Sequence, residues 1–179
     1  MLPLKEAIDV KHREAEQMEF NQRMMRGELT RFEYSQYLFQ LYNIFSAIER
    51  FPLPHPDLAR SGKALQDIDD LNPGDSVYHL HMCPSTFDYV LRLHTLTQEE
   101  LLPHVYLNYF ALMFGGQMMK EKTPGEGRIY QFDNMKDVMM SIRSIQKDEW
   151  ADEANRALQC NIHIFDELQD PTQYRRDHV

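Results

Sequence analysis

Three side chains near the start of the chain could together bind a metal ion or a haem iron. Lys5, His12 and Glu16 are seven and four residues apart, so a helix would place a cation, an imidazole and a carboxylate on one face over three turns. His12 also lies on an otherwise apolar, inward-facing stripe of this predicted helix, where a neutral imidazole needs a partner. Ligation of a metal or haem is one interpretation. A hydrogen-bonded core histidine beside a solvated salt-bridge face is the other.

An adjacent pair of glycines, Gly115 and Gly116, lies inside an apolar segment that predicts one long helix from Thr97 to about Lys122. Each glycine costs a helix about 1 kcal/mol relative to alanine, so something should compensate for the loss. One interpretation is close packing of two helices or a simple kink. The other is close approach of the backbone to a flat ligand, which any Cβ would block. Both predict a bent helix.

The last predicted helix, from about Asp148 to Gln169, carries Asn161 and Phe165 on its inner stripe. A buried amide requires a hydrogen-bonding partner, which a water or another helix can supply.

The chain also has 11 methionines. Their flexible side chains suit a cavity that adapts to a large apolar guest, although ordinary core filling explains them as well.

Other motifs give little support to further chemistry. Residues 79–83 place two histidines and a cysteine close together, but no fourth zinc or copper ligand occurs at a useful spacing. Gly-rich phosphate loops, nucleophile elbows and HExxH motifs do not occur in the sequence. Cys83 and Cys160 are predicted to be reduced thiols, because two cysteines cannot make a disulfide framework in a chain this long.

The elements that must position these residues are predicted to be helices alone. Helical periodicity runs through almost the whole chain, and no run of alternating β-branched residues occurs. The strongest pattern follows Thr30, a predicted helix cap, and ends at the prolines of residues 52–56. A length of 179 residues suits one domain. We therefore predict an all-α, single-domain fold over residues 1–170 and a polar tail over residues 171–179.

Composition and charge exclude several classes of partner. With 28 acidic and 19 basic side chains, the formal charge is −9, which argues against a surface that follows nucleic-acid phosphates or anionic lipids. No stretch approaches the ~18 uninterrupted apolar residues of a membrane span, and the first residues lack the apolar centre of a signal peptide. The prediction is a cytoplasmic monomer that binds neither nucleic acid nor membranes.

Seven segments, spread over nearly the whole chain, occur in the order of one known family. They are LKEAIDVKHREAEQMEF (4–20), RGELTR (26–31), LYNIF (41–45), YVLRLH (89–94), ELLPHVY (100–106), GGQ (115–117) and NIHIFDELQ (161–169). Together they resemble haem oxygenase. The resemblance implies a helical bundle that holds haem between a proximal and a distal helix.

The resemblance also implies roles for individual residues. His12 is the expected proximal ligand of the haem iron, with Glu16 orienting its other nitrogen. The distal helix is expected to bend at Gly115 and Gly116, where its backbone contacts the macrocycle and steers dioxygen. Lys5 matches a position that binds a haem propionate, and the sequence offers Arg143 as the second basic partner. Asn161 and Phe165 fall within the family's last helix and are expected to contact haem.

One departure from the family pattern affects oxygen activation. The family has Gly-Asp-x-Ser before the double glycine, whereas this chain has ALMF at residues 111–114, so Leu112 replaces the distal aspartate. That carboxylate anchors the water network that delivers protons, and without it ferryl, peroxidase-like chemistry is favoured. We hypothesise that Asn108, one turn earlier, or Tyr106 holds a substitute water. Phe45 stands where many relatives have a tyrosine, so the water network also lacks that hydroxyl group.

The implied function is oxidative cleavage of haem, with O2 and externally supplied electrons, to biliverdin, carbon monoxide and ferrous iron. Because the sequence has no flavin or nicotinamide motif, a ferredoxin or a flavoprotein reductase is the expected electron donor. A second hypothesis is a haem-binding pseudo-enzyme of the same fold that senses, stores or carries haem. A third is a haem-free helical enzyme of the wider superfamily, which would leave Lys5 and His12 unexplained.

Overall fold

A computed structural model describes residues 1–74 and 79–173, and this part of the chain contains helices and no strand. The prediction of an all-α fold is confirmed. The α-helices are α1 Leu4–Ala7, α2 Asp9–Gln17, α3 Glu19–Met25, α4 Arg31–Ile48, α5 Ser61–Leu71, α6 Pro84–Thr95, α7 Leu102–Met113, α8 Gly115–Met119, α9 Met135–Arg143 and α10 Ala151–Gln169.

Two long helices organise the bundle. Helix α4 begins with the predicted cap: the Thr30 hydroxyl accepts a hydrogen bond from the Glu33 amide, and the Glu33 carboxylate accepts one from the Thr30 amide. It packs against α5 and α6, whereas α10 packs against α2, α3, α6 and α7. The middle turns of α4 and α10 line the space in which the predicted site residues lie.

The first helix is tied to the last one. The Leu4 amide donates to the Asp148 carboxylate at 2.8 Å, and the Asn155 side chain donates to the Ala7 carbonyl at 3.1 Å. The sequence predicts one continuous helix from about Pro3, but the structure interrupts it at Ile8, between α1 and α2. The two bonds therefore fix α1, which directly precedes α2, against α10 and the turn before it.

The predicted long helix of residues 97–122 is shorter and divided. Thr97 and Glu100 form a reciprocal cap at its start, but α7 begins only at Leu102. Phe114, with φ −100° and ψ −81°, leaves the helical conformation and separates α7 from α8. The predicted bend is therefore present, and it begins one residue before the glycine pair.

The structure describes only the first residues of the predicted polar tail. Pro171–Gln173 forms a 3-10 turn, and residues 174–179 of the predicted polar tail lie outside the described residues. Over residues 1–74 and 79–173, no helix combines the length and the hydropathy that crossing a bilayer requires. The boundary between domain and tail stays a prediction.

Candidate functional site

A cavity of about 850 Å³ is lined by residues of α2, α4, α7, α8 and α10. Every site residue that the sequence predicted lines it: Lys5, His12, Glu16, Tyr106, Asn108, Leu112, Gly115, Gly116, Arg143, Asn161 and Phe165. Most of the other lining side chains are apolar. The fold thus brings together residues from four separate stretches of sequence in a space of the size that small-molecule sites usually have.

His12 presents its imidazole to the cavity from α2. Half of its side-chain surface is exposed, because this face of α2 borders an open cavity instead of a packed core. Nδ1 lies 3.6 Å from the Glu16 carboxylate, longer than a hydrogen bond. In the described part of the chain, Nε2 has no hydrogen-bonding partner. The imidazole can therefore bind a ligand without first breaking a contact.

The two glycines are there for different reasons. A Cβ added to Gly116 would lie 2.6 Å from Cδ1 of Tyr130, whereas one added to Gly115 would meet no atom within 4 Å. Tyr130 is 1% exposed and its ring packs directly on the α8 backbone. Close packing, one of the two interpretations of the glycine pair, thus explains Gly116. The open space beside Gly115 fits the other interpretation, close approach of a flat ligand.

Side chains outside the predicted set of site residues hold the bend in place. Gln117 donates one hydrogen bond to the Tyr130 carbonyl at 2.7 Å and another to the Leu112 carbonyl at 3.2 Å, so it bridges the break between α7 and α8. Arg60, only 1% exposed, donates to the carbonyls of Ile129 and Gln131. Gln117 belongs to the GGQ segment, but nothing in the sequence around Arg60 signals this role.

Arg60 remains a cation although it is buried. Burial lowers the pKa of its guanidinium to about 10, which is still well above neutral pH. The guanidinium makes four hydrogen bonds to backbone carbonyls, and its Cζ lies 3.8 Å from the centre of the Phe132 ring. The segment that carries Tyr130 is consequently fastened to the turn before α5.

The side of the cavity formed by α7 is apolar at Leu112 and polar one turn earlier. Leu112 is 4% exposed and offers no proton. Asn108 donates from Nδ2 to the Tyr89 hydroxyl at 3.0 Å and to the His104 carbonyl at 2.9 Å, while its Oδ1 accepts from Asn161 at 3.4 Å. The second predicted water-holding residue, Tyr106, packs on aromatic rings, and burial raises its pKa.

Two cations stand at the mouth of the cavity. Lys5 and Arg143 are both exposed, and neither forms an ion pair with any side chain of residues 1–74 or 79–173. The Arg143 guanidinium lies 6.0 Å from the Phe110 ring centre and 5.8 Å from that of Phe114. Asp9, an acidic residue of the same lining, is paired with Arg13 at 2.6 Å. The two cations are thus available to bind carboxylates of a ligand.

Phe165 is one of the aromatic residues that line the cavity. Its ring stacks with those of Phe20 and Tyr37, at ring-centre distances of 6.2 and 6.1 Å. No group of three or more His, Cys, Asp or Glu side chains is placed to hold a metal ion within residues 1–74 and 79–173. Cys83 and Cys160 form no disulfide with each other.

Comparison with known proteins gives a single family. The family model described as "Heme oxygenase" matches residues 2–167. "Heme oxygenase" of Pyropia yezoensis is 24% identical over 92% of this chain and 84% of its own length. "Heme oxygenase 1" of Rattus norvegicus is 28% identical over 93% of this chain and 70% of its own. The solved structure of heme oxygenase-1 from the cyanobacterium Synechocystis, in complex with heme, superposes with a TM-score of 0.81 at 23% identity, covering 94% of this chain and 91% of that one.

Proposed function

Because the chain belongs to the haem oxygenase family, we propose that it binds haem and cleaves it, with O2 and externally supplied electrons, to biliverdin, carbon monoxide and ferrous iron. One observation carries the proposal. The same mostly apolar cavity of about 850 Å³ is lined by an imidazole with a free nitrogen and by backbone that has no side chain at Gly115. A flat ligand with a central metal would use both, the imidazole to bind the metal and the bare backbone to make room for the ring.

The residues of the cavity fit haem in each of its parts. His12 would ligate the iron through Nε2, and Glu16, 3.6 Å from Nδ1, would accept the hydrogen of the other nitrogen once the two side chains tighten. Lys5 and Arg143, both exposed and unpaired within the described chain, would bind the two propionates. Gly115 would let the α8 backbone lie against the macrocycle.

Bound haem supplies both the iron at which dioxygen is reduced and the porphyrin that is opened. The protein's part is to hold the ring, exclude bulk water and place polar groups. Leu112 and Phe165 cover the cavity with apolar surface. The Oδ1 of Asn108 would accept a hydrogen bond from a water in the cavity, because both hydrogens of its Nδ2 already bind Tyr89 and His104.

Electrons must come from a second protein. We propose a ferredoxin or a flavoprotein reductase that docks at the mouth of the cavity. We further propose that the protein acts as a monomer in the cytoplasm and that residues 1–170 form the whole functional domain.

A second function has its own supporting observation. With Leu112 in place of a carboxylate, the α7 side of the cavity has no acid beside the expected oxygen site. A protein that binds haem to sense, store or carry it would need none. Both functions require haem binding through His12, and they differ in whether biliverdin forms.

Titration with hemin followed by aerobic reduction tests the proposal. The wild type should give a Soret band of a histidine-ligated haem, and His12→Ala should lose it. His94→Ala, which changes an exposed histidine of α6 outside the cavity, is the matched control. Reduction under air with a ferredoxin system should yield biliverdin, identified by absorbance and chromatography. A stable complex that yields no biliverdin supports the haem-binding function. If the Soret band of hemin is the same with and without the protein, both proposed functions are refuted.

A further inference from the structure

A continuous chain of buried side chains runs from the cavity to the protein surface. The Tyr89 hydroxyl lies 2.7 Å from Nδ1 of His104, and Nε2 of His104 lies 3.0 Å from Oε1 of Glu153. Tyr89 also accepts the hydrogen bond from Asn108, which lines the cavity. Tyr89 and His104 are 1% and 0% exposed, so no bulk water competes for these groups.

The chemistry of the groups fixes the direction of every hydrogen bond. The Glu153 carboxylate, held by Arg92 at 2.6 Å, only accepts, so Nε2 of His104 carries the hydrogen and Nδ1 is the acceptor. Tyr89 therefore donates its hydroxyl hydrogen to His104, and its oxygen is left to accept from Asn108. All donors thus point away from the cavity and toward the carboxylate.

This chain orients groups and does not conduct protons. Burial lowers the pKa of His104 to about 4, so its ring is neutral at physiological pH. The amide of Asn108 keeps its two hydrogens at that pH, and Tyr89 does not line the cavity. A proton from the surface would have to pass through the amide, which has no ionisable group to carry it.

We propose that Glu153, His104 and Tyr89 are positioning residues that hold the Asn108 amide with its oxygen toward the cavity. There the amide oxygen accepts a hydrogen bond from a water. It takes the place of the family's distal carboxylate, which Leu112 replaces in this chain. Both hydrogens of the amide are bound to acceptors outside the cavity, the Tyr89 oxygen and the His104 carbonyl. The cavity is left with an oxygen that has one lone pair beyond the contact with Asn161. This inference rests on the proposed function.

Loss of the Glu153 acceptor should act at a distance. Without it, His104 is free to carry its hydrogen on Nδ1 and to donate to Tyr89, whose own hydrogen then turns toward Asn108 and competes with the amide. Glu153 is 23% exposed at the side chain and does not line the cavity. A change at the surface end of the chain is therefore expected to disorder a group in the cavity.

The test compares Tyr89→Phe and Glu153→Met with the wild type in two measurements. In the protein without hemin, NMR should find the side-chain amide hydrogens of Asn108 exchanging about fivefold to tenfold faster in both variants, as the loss of one buried hydrogen bond predicts. In the hemin complex, reduced under carbon monoxide, the single C–O stretching band of the wild type should broaden or split. Glu153→Gln should restore both signals, because an amide oxygen accepts the same donors.

Tyr109→Phe is the matched control for removing a buried phenol hydroxyl, since its partner is Glu49 and neither residue lines the cavity. It should change neither measurement. If both test variants leave the exchange and the C–O band as in the wild type while hemin still binds, the positioning chain is refuted. If the exchange changes as expected but the wild type takes up no hemin, the proposed function fails and with it the role of the oriented oxygen.

Discussion

Replacing the two adjacent glycines by alanine should move stability in opposite directions. At Gly116 the new Cβ would lie 2.6 and 2.9 Å from two carbons of the Tyr130 ring, and such overpacking costs about 1–3 kcal/mol. The ring has little room to retreat, because Gln117 and Arg60 hold its segment. Alanine regains about 1 kcal/mol of helix propensity. The free energy of unfolding should fall by about 1 kcal/mol, or about 2–4 °C in Tm for a chain of this size.

At Gly115 the same substitution meets no atom within 4 Å, so the gain in helix propensity should remain. We expect the protein without hemin to be stabilised by up to about 1 kcal/mol. The methyl group would occupy space that the haem is proposed to fill, and hemin binding should weaken about tenfold. Gly62→Ala, in α5 and away from the cavity, also meets no atom and should stabilise the protein without affecting hemin.

Calorimetry or urea denaturation of the three variants without hemin, followed by hemin titration, measures both effects. The decisive comparison is between neighbours of identical chemistry. If Gly116→Ala proves as stable as Gly115→Ala, the packing of Tyr130 against α8 does not explain the second glycine. If Gly115→Ala binds hemin as tightly as Gly62→Ala, the backbone at that position does not approach the ligand.

Three further outcomes are expected. The folded state holds the pKa of His104 at about 4 against an ordinary 6.5, so the unfolded chain binds more protons between these values and stability falls as the pH drops through that window. From pH 7 to pH 5 this loss is about 2 kcal/mol, and urea denaturation should find it reduced in His104→Gln. Lys5→Met and Arg143→Met should each weaken hemin binding about twofold to fivefold but leave binding of hemin dimethyl ester unchanged, and equal loss with the ester would exclude contacts to propionates. Arg60→Met leaves buried carbonyls unpaired and should cost about 3 kcal/mol, or about 6–12 °C in Tm by calorimetry.

Because Leu112 stands where the family has the distal aspartate, other side chains must supply the polar groups of the cavity. Leu112 itself contributes none, and Tyr106 is turned toward the rings of Phe110 and Trp150. Asn108 is the polar side chain that α7 presents there, and its orientation depends on residues of α6, α7 and α10. The sequence alone offered Asn108 and Tyr106 as equal candidates, and the contacts favour Asn108.

The features that the sequence determined by itself are those that depend on neighbours along the chain. Helical periodicity, the Thr30 cap and the four-residue spacing of His12 and Glu16 are local, because backbone hydrogen bonds and side-chain faces in a helix repeat over a few residues. The resemblance to the family led to the prediction that Lys5 and, as the best basic candidate, Arg143 bind the same ligand although they are far apart in sequence.

The tertiary structure decided the contacts that no periodicity encodes. Gly116 is explained by Tyr130, which approaches it from a separate turn, and the break at Phe114 is held by Gln117 across two elements. The buried cation Arg60 bonds to carbonyls about 70 residues away, a partnership that depends on how the helices pack. Such contacts require three-dimensional proximity, since close packing and hydrogen bonding act between atoms within a few ångströms regardless of their distance along the chain.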